Sequence, residues 1–468
     1  MAAIWLALAV VALLAYFLQE LMRKKKKLPP GPRGLPLIGN LHMLGKNIYQ
    51  DLYKIAKKYG PIMSMRFGLV PVVVASSPYA AKQFLKNHDL VFASRPYSEV
   101  SQYIFYNQRN LPMRKQEVGN LVNFLKQAAA SDGDVVVNLS DKIGSLSTNM
   151  ACMMLFGKKY MDEDLGEKGF KALVQETMRI IAMPKLGDYI PCLCVLDLQR
   201  LTPRMKELAK LFDEFLERVI DEHVHQSTNE HKQAKDIVDT LMDIMQSGEA
   251  EFEFDRRHVK AILLDLLMPC MDTSSTTVEW IFSELLRNPD VMKKLQNELE
   301  QVIGKNRMVE ESDLENLEYL DMVIKEGFRL HPVVPLLIPH ESIEDCTVDG
   351  FHIRKGSRIL VNVWAIGRDP DIWPEPENFK PERFLGCNID VKGHSFQLLP
   401  FGFGRRSCPG LQLGLTIVQL LVAQLVHCFD WELPNNMLPK DLDMNEKFGL
   451  VTARVQHIMA IPTYRLHV

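Results

Sequence analysis

No charge excess of either sign marks the 468-residue chain. Its 55 Lys and Arg stand against 58 Asp and Glu, a net −3, which gives no broad basic surface for nucleic acid. There is no Cys-x-x-Cys pair and no His cluster beside a cysteine. The eight cysteines are scattered, and the Cys192-x-Cys194 spacing does not make a zinc site. A chain of this length builds its core without disulfides, so the cysteines read as those of a reducing, cytosol-facing protein. Tryptophan is scarce, and none stands between Trp5 and Trp280. With 47% hydrophobic and 24% charged residues, the remaining composition is that of a globular protein.

Charge is also missing from Ala2 to Leu18, an apolar run followed by Gln19, Glu20 and the basic cluster Arg23–Lys27. A signal peptide carries its positive charge before the apolar run, whereas here the charge follows it. The positive-inside rule then keeps the basic end in the cytoplasm, and residues 1–22 read as an uncleaved transmembrane anchor. Residues 23–40 form a basic and proline-rich hinge through Leu28-Pro29-Pro30-Gly31-Pro32 and Pro36, because proline fixes φ and stops the helix. Helical periodicity is expected over Gln50–Tyr59, a hairpin over Ile62–Phe67 and Val70–Ala75, and a short helix over Pro78–Asn87. Mostly helical patterns follow from Val135 to about Met245, strongly amphipathic over Leu201–His225. One long helix is expected over His258–Arg287. Val333–Pro339 reads as extended and apolar, Leu411–His427 as an apolar helix, and Met444–Val468 as a final hairpin.

Near the C-terminal end stands Phe401-Gly402-Phe403-Gly404-Arg405-Arg406-Ser407-Cys408-Pro409-Gly410. Its glycines let the backbone turn tightly and let a bulky planar group approach. Arg406 lies two residues from the sulfur, and the helix after Pro409 points its positive end back at it. Both features favour a thiolate. Such a loop suggests a haem-iron ligand. The run Phe-x-x-Gly-x-Arg-x-Cys-x-Gly resembles the haem-binding loop of the cytochrome P450 monooxygenases. The proline-rich hinge and the Asp-Thr-Ser run on the long helix are most similar to the plant microsomal type.

The resemblance implies a mainly α fold with a smaller β-rich lobe, spanning residues 41–468 as a haem-binding monooxygenase domain. It makes Cys408 the iron ligand, with Phe401, Gly404, Arg406 and Gly410 around the haem b and Arg406 and His340 at its carboxylates. Asp272 and Thr273 on the central helix match the family's proton-relay pair, although the small residues that precede that pair are Pro269-Cys270 here. Glu326, Arg329 and Arg383 match the Glu-x-x-Arg and Pro-Glu-Arg-Phe elements, a structural network expected to hold the Cys408 loop. The segment around 178–203 is expected to form part of a lid over the substrate. In the family a Trp-x-x-x-Arg helix holds a haem propionate. Here Arg109-Asn110-Leu111 runs straight into Pro112-Met113-Arg114-Lys115, so that helix is missing near residue 111.

The function so implied is insertion of one oxygen atom of O₂ into a lipophilic small molecule of secondary metabolism, at the endoplasmic reticulum membrane. Electrons would come from NADPH through a membrane-bound reductase docking near Arg405; no nucleic acid is involved. A catalytically degenerate haem-binding membrane protein is the alternative, drawing on the missing helix and on Pro269-Cys270. An oxygen-independent isomerase or dehydratase on the same fold is a third reading.

Overall fold

The computed structural model describes residues 27–92, 111–131, 133–160, 170–183, 201–227, 236–247, 252–447 and 449–467. The expected anchor (1–22), the segment 97–110 ahead of the missing helix, and most of the expected lid lie outside the described residues.

In chain order the elements open with helix α1 (Ile48–Tyr59), strands β1 (Ile62–Phe67) and β2 (Val70–Ala75), and α2 (Pro78–Lys82). Next come α3 (Leu111–Ala129), β3 (Val137–Asn138), α4 (Leu139–Phe156), α5 (Phe170–Ala182), α6 (Leu201–Ser227) and α7 (Ile237–Ser247). The central helix α8 (Arg256–Arg287) is followed by α9 (Pro289–Ile303) and α10 (Glu318–Leu330). Short strands β4 (His340–Glu341), β5 (Cys346–Val348), β6 (Phe351–Ile353) and β7 (Arg358–Val361) precede α11 (Val363–Ile366). The chain closes with α12 (Leu411–Cys428), β8 (Phe429–Glu432), β9 (Glu446–Lys447), β10 (Ala453–Arg454) and β11 (Met459–Tyr464).

The chain divides into two compact units, Met1–Pro96 with Ile338–Asn362, and Tyr97–Leu337 with Val363–Val468. The first carries a four-stranded sheet in the order β1-β2-β7-β4 and the separate hairpin β5-β6. β1 and β2 form the expected hairpin, in register from Ile62↔Ala75 to Phe67↔Val70. Gly68 makes its two-residue turn at φ +59°. The hinge is no free spacer over its described part. The Pro30 carbonyl accepts the Ser64 amide at 2.8 Å, and Asn40 exchanges bonds with the Arg66 backbone. A Cβ on Gly31 would sit 1.8 Å from the Ser64 carbonyl oxygen, so only glycine lets the hinge lie this close to β1.

The second unit is built around α8. The helix starts at Arg256, ahead of the expected His258, because Asp255 caps it and the His258 ring completes a reciprocal box. Two apolar clusters meet along it. One gathers Val259–Met271 of α8 with the C-terminal half of α4 and with α5, α6 and α7. The other gathers Val278–Leu286 with α3, the N-terminal half of α4, α9, α10 and α12. The polar run Asp272–Thr277 falls between them.

Two expectations are corrected. Val333–Leu337 is irregular rather than extended, turned by a Leu337 N–H to Val334 carbonyl bond of 3.0 Å, with Leu337 at φ +51°. The last residues make more than a hairpin. β9 and β10 pair, but β11 leaves them for the middle of a three-stranded sheet, β3-β11-β8. β3 bonds only Met459–Ala460 and β8 bonds Ile461–Tyr464, so Pro462 has a ladder neighbour on one side alone, where a missing N–H is tolerated.

Candidate functional site

The Cys408 loop owes its shape to glycines in the left-handed region, Gly402 at φ +67° and Gly404 at +81°. A 3₁₀ turn over Gly404–Arg406 follows, and the Cys408 N–H closes the loop on the Phe401 carbonyl at 2.8 Å. α12 then begins at Leu411. Cys408 is exposed to solvent, yet surrounding protein raises its thiol pKa by desolvation, as for a sulfur on the wall of a recess. The Gly410 N–H works the other way and favours the thiolate. Of the two effects at this sulfur, burial is the larger.

Asp272 and Thr273 sit midway along α8. Ile262, Leu266, Pro269 and Thr273 recur at three- to four-residue spacing and stay accessible on a helix whose Leu263, Leu267, Met268 and Met271 are buried. Ile262 and Leu266 still pack on the neighbouring apolar cluster with one side, so the stripe is half-buried rather than bare. Pro269 supplies no N–H to the helix ladder, and the Thr273 hydroxyl donates to the Pro269 carbonyl at 2.9 Å. Ser275 and Thr277 likewise donate to the carbonyls of Met271 and Thr273, which meets the cost of burying the hydroxyl run. Burial raises the Asp272 pKa, with Lys171 acting weakly against it. Burial also pushes the Cys270 thiol up to about 12, and Cys408 adds to the effect. The α8 polar run adjoins the first turn of α12. Ser274 Oγ stands 3.6 Å from where a Cβ on Gly414 would be, one turn after Gly410.

Glu326, Arg329 and Arg383 form one buried network. Arg329 grips both oxygens of Glu326, Nε at 2.7 Å and Nη2 at 2.8 Å, and Arg383 Nε adds a third bond at 2.9 Å. The remaining arginine donors reach carbonyls of Gly367, Pro374, Pro376 and Asn378, so the network ties α10 to the meander after α11. Removing one partner strands a buried charge, at a cost of about 3–5 kcal/mol. The link from α10 to the Cys408 loop is an edge-on contact of Phe328 with Phe401, centroids 5.3 Å apart. His340 lies in the first unit, starting β4, and its Nδ1 donates to the Phe92 carbonyl at 2.7 Å.

Sequence reasoning passed over a second buried cluster, Trp280, Glu284 and His331. Its signal was a Trp and a Glu one helical turn apart on α8. Another polar group, His223 with Asp236 and Asp239, closes on itself. The His223 ring bonds Asp236 at 2.8 Å, and the two aspartates cap each other's backbone at the start of α7.

A glycine-shaped cysteine loop with an N–H on its sulfur, beside the polar run of a long helix, is an arrangement suited to a haem thiolate. Sequence comparison carries this further. The cytochrome P450 family model matches residues 29–111 and 102–459, and the chain belongs to that family of oxygen-incorporating oxidoreductases. It is 47% identical to a cytochrome P450 of Panax ginseng, with 95% of each chain covered. It is 40% identical to a flavonoid 3'-monooxygenase of Crocosmia x crocosmiiflora, 97% of each covered. It is also 40% identical to norfluorocurarine oxidase of a Strychnos species, over 91% of this chain and 90% of the relative. The family implies a haem cofactor, and Cys408 with its loop fits one. The match divides at residues 102–111, the place where the Trp-x-x-x-Arg pattern is missing.

Proposed function

We propose that the chain holds haem b through Cys408 and inserts one oxygen atom of O₂ into a lipophilic small molecule. The electrons come from NADPH through a flavoprotein reductase at the endoplasmic reticulum membrane. The observation that carries this reading is the Cys408 loop, its cysteine exposed as a residue, with the Gly410 N–H aimed at the sulfur and the Asp272–Ser275 run of α8 against the next turn. When bound, the haem supplies the electron and oxygen chemistry, and the thiolate tunes it.

The protein's own residues bind, orient and hold protons. Phe401, Gly404 and Gly410 shape the cradle, and Arg406 is the carboxylate partner in this unit. His340 keeps its expected carboxylate role on the resemblance alone. Asp272, raised by burial, holds a proton at pH values where an exposed aspartate has lost it, and Thr273 stands next to it on the stripe. Glu326, Arg329 and Arg383 keep α10 and its Phe328 in place beneath the loop. Relatives are named as flavonoid 3'-monooxygenases and a norfluorocurarine oxidase, which supports a lipophilic plant metabolite as substrate. The second reading, a haem protein without turnover, is favoured by the divided family match and by Pro269 inside α8.

The deciding measurement is the spectrum of the reduced, carbon-monoxide-bound full chain in membranes. A strongly red-shifted Soret band that Cys408→Ala abolishes is expected. Absence of haem, or an unshifted band that Cys408→Ala leaves unchanged, overturns the proposal. Reductase-dependent oxygen uptake then separates turnover from the second reading.

A further inference from the structure

His331 directly follows α10, and its backbone N–H caps that helix on the Gly327 carbonyl at 2.9 Å. Its ring lies flat on Trp280 of α8, with centroids 4.3 Å apart and planes 4° from parallel. Its Nε2 donates to Glu284 at 2.8 Å, and Glu284 is one helical turn beyond Trp280 on the same face. Trp280 and Glu284 are fully buried, 1% and 2% exposed. Burial pushes the Glu284 pKa up, but His331, Arg287 and Asn288 outweigh it and hold the carboxyl below its ordinary range. A buried carboxylate, an imidazole and an indole are thus fixed in one orientation, and no part of the Cys408 chemistry uses them.

Two residues further on, the Val333 carbonyl accepts the Thr452 N–H at 2.8 Å, while the Thr452 carbonyl accepts the Trp280 indole N–H at 2.8 Å. The segment after His331 is therefore tied to α8 twice, once through the ring and once through Thr452. At its other end, Leu337 Cδ1 lies 3.8 Å from where a Cβ on Gly402 would be, at the start of the Cys408 loop. Between these ties Val333, Val334, Leu336 and Leu337 are half-exposed apolar residues, and Leu337 adopts φ +51°, a strained conformation for a leucine. Apolar side chains held half-bare beside the cysteine loop present a wall to a bound molecule.

We infer that Trp280, Glu284 and His331 are positioning residues that set the shape of this apolar wall and thereby which face of a lipophilic ligand it accepts. The inference rests on the haem-thiolate reading. Its physical basis is that a flat stack and a charge-assisted bond fix the ring in orientation as well as in position, whereas apolar packing alone would let the segment slide. Through His331 that orientation passes to Val333 and on to Leu337.

The test uses 1-phenylimidazole and 4-phenylimidazole, read by the spectral shift each gives on binding haem in the full-length protein. Both carry a nitrogen donor and a phenyl group of the same size, but they project the phenyl in different directions. The ratio of their dissociation constants therefore reports wall shape and cancels any general loss of affinity. His331→Phe keeps the stack and loses the bond to Glu284. Trp280→Phe keeps an aromatic face and loses the donor to Thr452. Each is expected to change the ratio at least about fivefold at unaltered haem content, while Glu284→Gln, whose amide oxygen still accepts from His331, stays within about twofold of the native ratio. A native ratio in both aromatic variants overturns the inference. So does loss of haem from both while the native chain retains it, because the cluster would then serve folding alone. A native chain that takes no haem overturns the haem-thiolate reading first, and haem content measured separately distinguishes that failure.

Discussion

Asp272 shows how one residue's surroundings set its chemistry. Desolvation on α8 raises its pKa, so the native state binds this proton more tightly than the unfolded chain does. Between the ordinary aspartate range, about pH 4, and the raised native value, stability falls as pH rises. Above that window the buried charge costs stability, and below it the cost disappears. Asp272→Asn is therefore expected to raise the melting temperature relative to the native chain at pH 8, with the gain shrinking as the pH approaches about 4. Thermal melts across that range check it, and a gain independent of pH would contradict a buried charge. The sequence already named this residue, as it named Cys408, because a hydroxyl run beside an acid and a cysteine between glycines are local patterns. It did not reveal that burial outweighs the Gly410 N–H at the Cys408 sulfur, since desolvation depends on what distant segments bring to the site.

Among helices, α12 is the one in the described residues long and apolar enough to cross a membrane, yet it is largely enclosed by protein and serves as a core helix. Length and apolarity cannot separate the two roles, because a helix buried on all sides reads the same as one in lipid. The contact between α10 and α8 is set by a single glycine. A Cβ on Gly327 would stand 2.2 Å from Ile281 Cγ1, with Ile281 itself fully buried. Gly327→Ala is expected to cost about 1–3 kcal/mol in urea unfolding through overpacking. Ile281→Ala should cost less in that background than alone, a coupling that a double-mutant cycle measures. Additive costs would mean that the helices separate freely. Nothing in Lys325-Glu326-Gly327-Phe328-Arg329 announces this role, since a glycine within a helix is explained only by its neighbour.

At the scale of the whole second unit, α8 runs through two apolar clusters with its polar run between them. α12 is enclosed almost throughout within one cluster, whereas α6 and α7 cover the other with one face and show charge to solvent on the opposite face. Local opening follows such differences in burial. Native-state hydrogen exchange is expected to find the amides of α10 and α12 slowest and those of α6 and α7 measurably faster; equal protection would show a single cooperative core. The chain's own pattern determined the β1–β2 hairpin, the long central helix and the cysteine loop, and its resemblance to a family supplied the mainly helical class with its small β lobe and the residues of the Glu326 network. Each of these is written in short-range spacing, in turn glycines, or in a motif. The tertiary structure alone decided that β11 leaves its hairpin, that Val333–Leu337 turns instead of extending, and that His331 lies on Trp280. These outcomes depend on which distant groups satisfy a hydrogen bond or fill a space, and spacing along one chain does not record that.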